Sequence, residues 1–165
     1  MSEREQRLEG LGFPLDRVPP EGKLVDPLSV VGRIVYVSGQ VALDVEKLVS
    51  KGKVPDQVSV AEATKAAALC AANALRAIRR HFGSLDRVER IVRITGYVNS
   101  SAEFTDQHLV INGASQLVRD VFGEAGRHAR TALGMAQLPL GTSVEVEMIV
   151  ETNARRMLHF PRTTA

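Results

Sequence analysis

The sequence predicts an α+β fold in which two helices pack on one face of a mixed β-sheet. Segments with the apolar spacing of helices alternate with segments rich in β-branched residues, in the order strand, helix, strand, helix, strand, strand. The last segment, residues 143–151, places valine and methionine at alternate positions and mainly glutamate between them. Because successive strand residues point to opposite faces, one face of the sheet belongs to a core and the other is polar.

Length and composition predict a single domain over residues 1–165. Of the 165 residues 44% are hydrophobic, which is enough for one core but not comfortably for two. We expect a core of about residues 28–151, an N-terminal arm over 1–27 that holds a short helix or coil, and a C-terminal tail over 152–165. The tail is basic and has no clear periodicity, so it is a candidate for disorder.

The balance of charge argues against nucleic acid and membranes as partners. Lysine and arginine number 21, and aspartate and glutamate 19, which leaves a formal net charge of +2. So small an excess produces no strong field towards a nucleic acid or an anionic lipid surface. No apolar run approaches the length of a membrane helix, and the charged first ten residues do not resemble a secretion signal. We therefore expect a cytoplasmic protein without nucleic-acid or membrane partners.

The single cysteine, Cys70, lies in an alanine-rich helical segment. One cysteine excludes an intramolecular disulfide, which fits a reducing compartment. Free cysteine is commonly buried as a small apolar residue, so we predict that Cys70 packs and is not a nucleophile. The four histidines lack the spacing of metal ligands, and the common nucleotide- and phosphate-binding motifs are absent. Neither a bound metal nor a cofactor is predicted.

The first clear strand is predicted at Arg33–Ser38, with a further strand before it. Apolar residues occur at both alternating sets of positions, which predicts a strand covered on both faces. Gly39 and Gln40 then interrupt the run. The next segment, residues 41–57, has one weak hairpin signal with Gly52 near its tip, and we expect an exposed, mobile excursion there.

A capping box at Ser59 and Glu62 predicts the start of the first long helix, which should run to Phe82 with Gly83 as its left-handed stop. Its small and apolar side chains form a narrow stripe that permits close approach to a sheet. The stripe consists of Ala67, Ala71, Ala74, Leu75, Ile78 and Phe82, while Arg76, Arg79 and Arg80 fall elsewhere on the helix.

A second strand is predicted at Val88–Val98, followed by a second helix that Thr105 or Asp106 caps and Gly123 ends. The C-terminal third adds two more strands joined by a turn-forming link at residues 138–141. These strands are predicted at Arg130–Ala136 and Ser143–Glu151.

Three polar features in otherwise apolar strands are the candidates for chemistry: Ser38-Gly39-Gln40, Arg130 and Glu145. Each has an ordinary structural explanation. Glycine ends strands because it admits positive φ, an arginine that opens a strand is usually a solvated rim charge, and alternating glutamates usually mark a wet sheet face. Residue type and spacing alone favour those explanations.

Three blocks of sequence resemble the YjgF/RidA family. They are VYVSGQ at residues 35–40, TGYVNSSAEFTDQHLVINGAS at 95–115 and HARTALGMAQLPLGTSVEVEMIVE at 128–151. The resemblance runs from about residue 32 to residue 151, and its last block is specific. The long segment after the first strand and the sequence of the middle block resemble a less characterised branch of that family.

The resemblance implies a chorismate-mutase-like fold in which three chains join their sheets into a central barrel, with clefts between neighbouring chains. It implies that Arg130 grips a substrate carboxylate and that Glu145 holds the water that attacks an imine carbon. A guanidinium meets a carboxylate with two parallel charge-assisted hydrogen bonds, and a carboxylate can orient water and take its proton. Ser38, Gly39 and Asn112 are the further substrate-binding residues that the resemblance implies.

The reaction implied is hydrolysis of a small enamine or imine carboxylate, of the 2-aminoacrylate type, to a 2-keto acid and ammonia. Two positions depart from the family pattern, since Val25 stands at the position of a cleft tyrosine and Ala132 at that of a frequent cysteine. Two alternatives stay open beside the deaminase. One is a protein of the same fold that binds a small carboxylate metabolite without turnover, and the other, more distant, is a ribonuclease.

Overall fold

The structure, a computed structural model, describes residues 1–20 and 24–153. The predicted tail therefore lies outside the described residues from residue 154 onwards. The helices are α1 (Glu3–Gly10), α2 (Val60–Phe82) and α3 (Gln107–Phe122), and the strands are β1 (Leu28–Val31), β2 (Ile34–Val41), β3 (Leu43–Asp44), β4 (Lys47–Leu48), β5 (Val88–Asn99), β6 (Ala129–Met135) and β7 (Val144–Thr152). Within these ranges no helix is long and apolar enough to cross a membrane.

The main sheet has five strands in the order β1-β2-β7-β5-β6. The β5–β6 pair is parallel and its other pairs are antiparallel, so the sheet is mixed. Helices α2 and α3 pack on one face of it, where the alternate β7 residues Val144, Val146, Met148 and Val150 are buried. The predicted α+β fold with two helices on one face of a mixed sheet is confirmed, and α1 supplies the short helix expected in the N-terminal arm.

The long helix α2 begins and ends where the sequence predicts. The Ser59 hydroxyl accepts from the backbone N–H of Glu62 at 3.2 Å, and the Glu62 carboxylate accepts from the backbone N–H of Ser59 at 3.0 Å. Gly83 ends the helix with a φ of 80°, a conformation that costs glycine little. Cys70 is fully buried, and burial raises the pKa of its thiol, so the predicted packing role is confirmed.

The second long helix, α3, follows Asp106 and stops at Gly123, as predicted. The predicted cap is wrong in its chemistry, because the Asp106 side chain makes no capping hydrogen bond. With a ψ of 32°, the Asp106 backbone departs from the extended conformation that an N-cap residue usually adopts. The predicted strands β5, β6 and β7 are confirmed, with ends that move by about one residue.

Helices α2 and α3 are in close contact at Gly113. A Cβ atom added there would lie 1.9 Å from the backbone oxygen of Thr64 on α2. No side-chain rearrangement relieves a clash with a backbone atom, so only glycine permits this helix spacing. The observed contact between α2 and α3 therefore requires glycine at position 113.

We expect Gly113→Ala to lower the free energy of unfolding by about 1–3 kcal/mol, the usual cost of overpacking, despite the better helix propensity of alanine. Urea denaturation of the purified variant measures it. Gly10→Ala is the matched control, because a Cβ on Gly10 meets nothing within 4 Å, and this change should be neutral or slightly stabilising. Equal stabilities of the two variants would contradict the packing argument.

The strand β2 is longer than predicted. Gly39 and Gln40 do not end it but lie inside it, and pairing with β7 continues to Val41. A register shift between Val37 and Gln40 absorbs the irregularity. Such a bulge lets one strand bend without losing its partner, which is why the sequence break is not a strand end.

The segment over residues 41–57 is not the exposed excursion that was predicted. Ser50 and Val54 are buried, and the segment is tied to the link before β7 through a hydrogen bond from the Gly52 N–H to the Gly141 oxygen at 2.9 Å. Its hairpin consists of β3 and β4, so the turn lies upstream of Gly52. The buried apolar residues of this segment are spaced too far apart to form a strand or helix pattern, so its packing is not evident from the sequence.

The face of the sheet opposite α2 and α3, here called the open face, is uncovered in a single chain. It carries the glutamates of β7 together with Tyr36 on β2 and Leu133 on β6, which are 49% and 43% exposed. The prediction that the first strand is covered on both faces is therefore wrong for one chain. The apolar residues that suggested two covered faces are exposed on this side.

Candidate functional site

Arg130 lies near the start of β6, the edge strand of the sheet. It pairs in parallel register with Ile94, a buried residue under the helices, so both side chains lie on the helix side. Its Nη1 donates to the Asn112 side-chain oxygen at 2.8 Å and to the Ser115 hydroxyl at 3.1 Å. Two neighbouring positions of α3 thereby orient the guanidinium.

The charge of Arg130 is not neutralised by the residues that orient it. Asn112 and Ser115 offer uncharged oxygens, and within the described part of the chain no carboxylate forms an ion pair with Arg130. The Nε and Nη2 atoms have no hydrogen-bond partner among those same residues, and the side chain is exposed. This leaves a positioned, unpaired fork of donors of the kind that binds a carboxylate in bidentate fashion.

His128 supports Ser115 from behind. Its Nδ1 lies 2.7 Å from the Gly126 backbone oxygen and its Nε2 lies 3.0 Å from the Ser115 hydroxyl. Burial lowers the pKa of His128, the Arg130 charge lowers it further, and the Gly126 hydrogen bond acts in the opposite direction. A neutral ring that donates from Nδ1 accepts at Nε2, so the Ser115 hydroxyl donates to His128 and keeps its lone pairs for Arg130.

Ser115 was not among the residues predicted from the sequence, although a signal for it exists. It follows Asn112 by three positions, and residues so spaced lie side by side on one helix face. The four residues Arg130, Asn112, Ser115 and His128 are called the arginine half-site below.

Glu145 lies on β7 and points to the open face, between the buried residues of that strand. Its carboxyl is half-buried, and no donor in the described ranges forms a hydrogen bond with it. Burial raises the pKa of the Glu145 carboxyl, and the charge of Glu147 two residues along raises it further. A carboxyl with a raised pKa and no partner is suited to taking a proton from water.

Gly39 makes room for this carboxyl. A Cβ on Gly39 would lie 2.0 Å from a Glu145 oxygen, so glycine is needed for the observed rotamer. The neighbouring Ser38 is already engaged within the chain, since its hydroxyl donates to the backbone oxygen of Asp26 at 2.7 Å. Ser38 thus orients the chain before β1 in this structure and does not face open solvent as a free donor.

Tyr97, which the sequence reasoning did not select, lies directly across from Glu145. The two residues are register partners in the β5–β7 pair, and both lie on the open face. Burial raises the pKa of the Tyr97 phenol, and the nearby Glu147 and Glu145 charges raise it further. We call Glu145, Gly39 and Tyr97 the glutamate half-site.

Within one chain the two half-sites do not meet. Arg130 lies on the helix side of the sheet, and Glu145 lies on the open face. The strand β5 also separates their strands in the sheet order. The structure brings Asn112 to Arg130 and Gly39 to Glu145, but it does not bring Arg130 to Glu145.

The two departures from the family pattern are apolar here. Val25 is 65% exposed and lines a cleft of about 210 Å³ with Ser38 and Gly39, where it offers no hydrogen bond. Ala132 follows Arg130 on the helix side and is half-buried. Among the described residues no group of three or more His, Cys, Asp or Glu side chains is placed to hold a metal ion.

Comparison with known proteins identifies the family. A family model described as "YjgF/chorismate_mutase-like, putative endoribonuclease" matches residues 5–152. The protein Atu1372 from Agrobacterium tumefaciens, described as having unknown function, is 44% identical, with a TM-score of 0.85 over 92% of this chain and 94% of that one.

Two further relatives agree. A Shewanella oneidensis protein described as a putative endoribonuclease is 30% identical, with a TM-score of 0.86 over 91% of this chain and 99% of that one. Protein TCP17 of Trypanosoma cruzi is 44% identical over 123 residues, which are 74% of this chain and 77% of the Trypanosoma protein. The extent of these matches, together with the mixed sheet under two helices, means that the chain belongs to the YjgF/chorismate-mutase-like family.

Proposed function

We propose that this protein hydrolyses small enamine or imine carboxylates, of the 2-aminoacrylate type, to a 2-keto acid and ammonia. The observation that carries the proposal is the unpaired guanidinium of Arg130. Uncharged partners hold it in place through Nη1, which leaves Nε and Nη2 to meet a carboxylate. Because those partners do not neutralise it, the arginine keeps its full attraction for an anion.

Glu145 performs the chemical step in this proposal. The enamine first tautomerises to the imine, whose nitrogen takes up a proton from solvent. A water oxygen then forms a bond to the iminium carbon while the Glu145 carboxylate takes one of its protons, which gives a neutral carbinolamine. Glu145 returns that proton to the nitrogen, the C–N bond breaks with its electron pair leaving on ammonia, and the hydroxyl proton passes to solvent as the 2-keto acid forms. The Glu145 carboxylate is regenerated without any oxidant or cofactor.

The active cleft requires two chains. Arg130 and Glu145 lie on opposite sides of the sheet, so one substrate can reach both only if they come from different copies. The open face supports association, since it exposes Tyr36 and Leu133 in a single chain. We propose a homotrimer in which three open faces form a central barrel, with one cleft between each pair of neighbours.

A second candidate is a protein that binds a small carboxylate without turning it over. Val25 lines the cleft beside Gly39 and supplies no donor, and the Ser38 hydroxyl is taken by Asp26. A cleft with fewer donors would hold the carboxylate through Arg130 but stabilise the transition state less. The ribonuclease suggested by the names of relatives ranks third, because the chain has little net charge and 4% aromatic residues for stacking on bases.

The deciding experiment follows ammonia and 2-keto acid when freshly generated 2-aminoacrylate meets the purified protein. Spontaneous hydrolysis in buffer alone is the baseline. We expect a rate that rises in proportion to protein concentration. A rate equal to the baseline at every concentration would contradict the deaminase, and a bound carboxylate recovered unchanged would then favour the second candidate.

A further inference from the structure

A second cavity lies away from both half-sites. It measures about 680 Å³ and is bounded by the N-terminal arm, by residues of the segment from Asp44 to Val58, and by α2 from Glu62 to Arg76. None of the residues of the arginine or glutamate half-sites lines it. Its volume is in the usual range for small-molecule sites, about 300–1,000 Å³.

Arg76 brings a buried charge to this cavity. The residue is only 2% exposed, although it carries a guanidinium. Its Nε donates to the Pro14 backbone oxygen at 2.9 Å and its Nη1 to the Asn73 side-chain oxygen at 2.7 Å. Both partners are uncharged, and across the described residues no carboxylate lies within ion-pair distance of Arg76. A buried charge without an opposite charge is costly.

The third side-chain nitrogen of Arg76, Nη2, keeps some contact with solvent. The Nη2 atom makes no hydrogen bond to the described residues. It is also not fully buried, since Arg79 Nε is the one described side-chain atom that is both fully buried and without a hydrogen bond. Arg76 lines the cavity, and Nη2 is its one side-chain nitrogen without a hydrogen bond to the described residues. An anion in the cavity would therefore find an oriented guanidinium edge.

The acidic side chains that line the cavity, Asp44 and Glu62, already have hydrogen-bond partners within the chain. Arg17 binds both Asp44 oxygens, at 2.5 Å and 2.7 Å, so Asp44 acts on Arg76 only from a distance. Glu62 caps α2 through Ser59. Four basic and two acidic side chains line the cavity. Two of the four basic residues, Lys51 and Lys65, form no ion pair within the described ranges. Positive charge is in excess.

We propose that this cavity binds a small organic anion whose carboxylate or phosphate oxygens meet Nη2 of Arg76. Apolar wall residues, among them Phe13, Val58 and Leu69, contact the carbon body of the ligand. Lys51 and Lys65 at the rim attract it and contribute further charge. The site is independent of the cleft formed by Arg130 and Glu145.

The test titrates the full-length ¹⁵N-labelled protein with inorganic phosphate, sulfate or butyrate at constant ionic strength. We expect saturable shifts of the Arg76 Nε–H signal and of the Phe13 backbone amide. A preference for phosphate indicates a phosphorylated ligand, and a preference for butyrate a carboxylate with an apolar body. Arg130→Ala, which removes the cleft arginine, should leave these affinities unchanged. Linear, unsaturated shifts with all three anions would overturn the proposal.

Variants of the cavity test the role of each charge. Arg76→Met should weaken binding roughly 10-fold or more, because a charge-assisted hydrogen bond is lost. Arg76 also ties α2 to the N-terminal arm, so a second variant guards against misfolding. Lys51→Met combined with Lys65→Met leaves that tie intact and should weaken binding about 5-fold. Anion affinity equal to that of the wild-type protein in either folded variant would contradict the proposal.

Discussion

Replacing Arg130 by alanine is expected to lower kcat/KM for a 2-aminoacrylate-type substrate by roughly 100-fold. The Arg130 fork holds the substrate carboxylate in both the ground state and the transition state, so the loss should fall mainly on KM. Hydrogen bonds to charged groups contribute about 1.5–3 kcal/mol, and each 1.4 kcal/mol corresponds to about tenfold. Initial rates of 2-keto acid release over a range of substrate concentrations separate KM from kcat.

Two controls sharpen this prediction. Arg127→Ala removes an exposed arginine that pairs with Glu124 at the surface, and it should leave the rate within about twofold of the original. Arg130→Lys keeps the positive charge but loses the planar fork, so its rate should lie between those of the original protein and the alanine variant. A folded Arg130→Ala variant with undiminished kcat/KM would show that the carboxylate is held elsewhere.

Local patterns were enough to predict most of the fold. The capping box at Ser59 and Glu62 and the stop at Gly83 locate α2, because both are satisfied by backbone groups within a few residues. The alternation along β7 predicts which face is buried, since strand geometry fixes it residue by residue. These features need no information from distant parts of the chain.

What the sequence did not predict depends on contacts between distant segments. The burial of Arg76 depends on the carbonyl of Pro14, 62 positions away, so helical spacing alone placed it away from the core stripe. The placement of Arg130 and Glu145 on opposite sides of the sheet depends on strand register across β5, which no local pattern encodes. The pairing of Arg130 with Glu145 therefore stays a prediction, and it requires that two chains contribute to one cleft.

Replacing Glu145 by glutamine is expected to lower kcat by roughly 100-fold or more, since it removes the base but keeps the shape of the side chain. Glutamine can still orient water through its oxygen, yet it cannot take a proton. The loss should fall on kcat and leave KM nearly unchanged, in contrast to Arg130→Ala. Single-turnover release of ammonia measures the chemical step directly.

The pH dependence of rate and stability tests the same carboxyl. Because the pKa of Glu145 is raised, the rate should fall on acidification at a pH above the ordinary value of 4.5. Glu147→Gln removes a charge that raises this pKa, so it should move the acid limb of the pH–rate profile to lower pH without abolishing activity.

A raised carboxyl pKa disfavours the folded state as pH rises above 4.5. Glu145→Gln should therefore melt higher than the original protein at pH 8, and equally at pH 4.

Mixing the Arg130→Ala and Glu145→Gln variants, assayed at substrate concentrations well below KM where both are impaired, tests whether Arg130 and Glu145 meet across a chain boundary. In a mixed oligomer, an Arg130→Ala chain still supplies Glu145 and a Glu145→Gln chain still supplies Arg130. If each cleft takes one residue from each neighbour, equal mixing in a closed ring restores about a quarter of the clefts. If both residues came from one chain, no cleft would be restored. Recovery of activity on subunit exchange would thus show that the arginine half-site of one chain and the glutamate half-site of its neighbour form one cleft, because the two residues lie on opposite sides of the sheet in each chain.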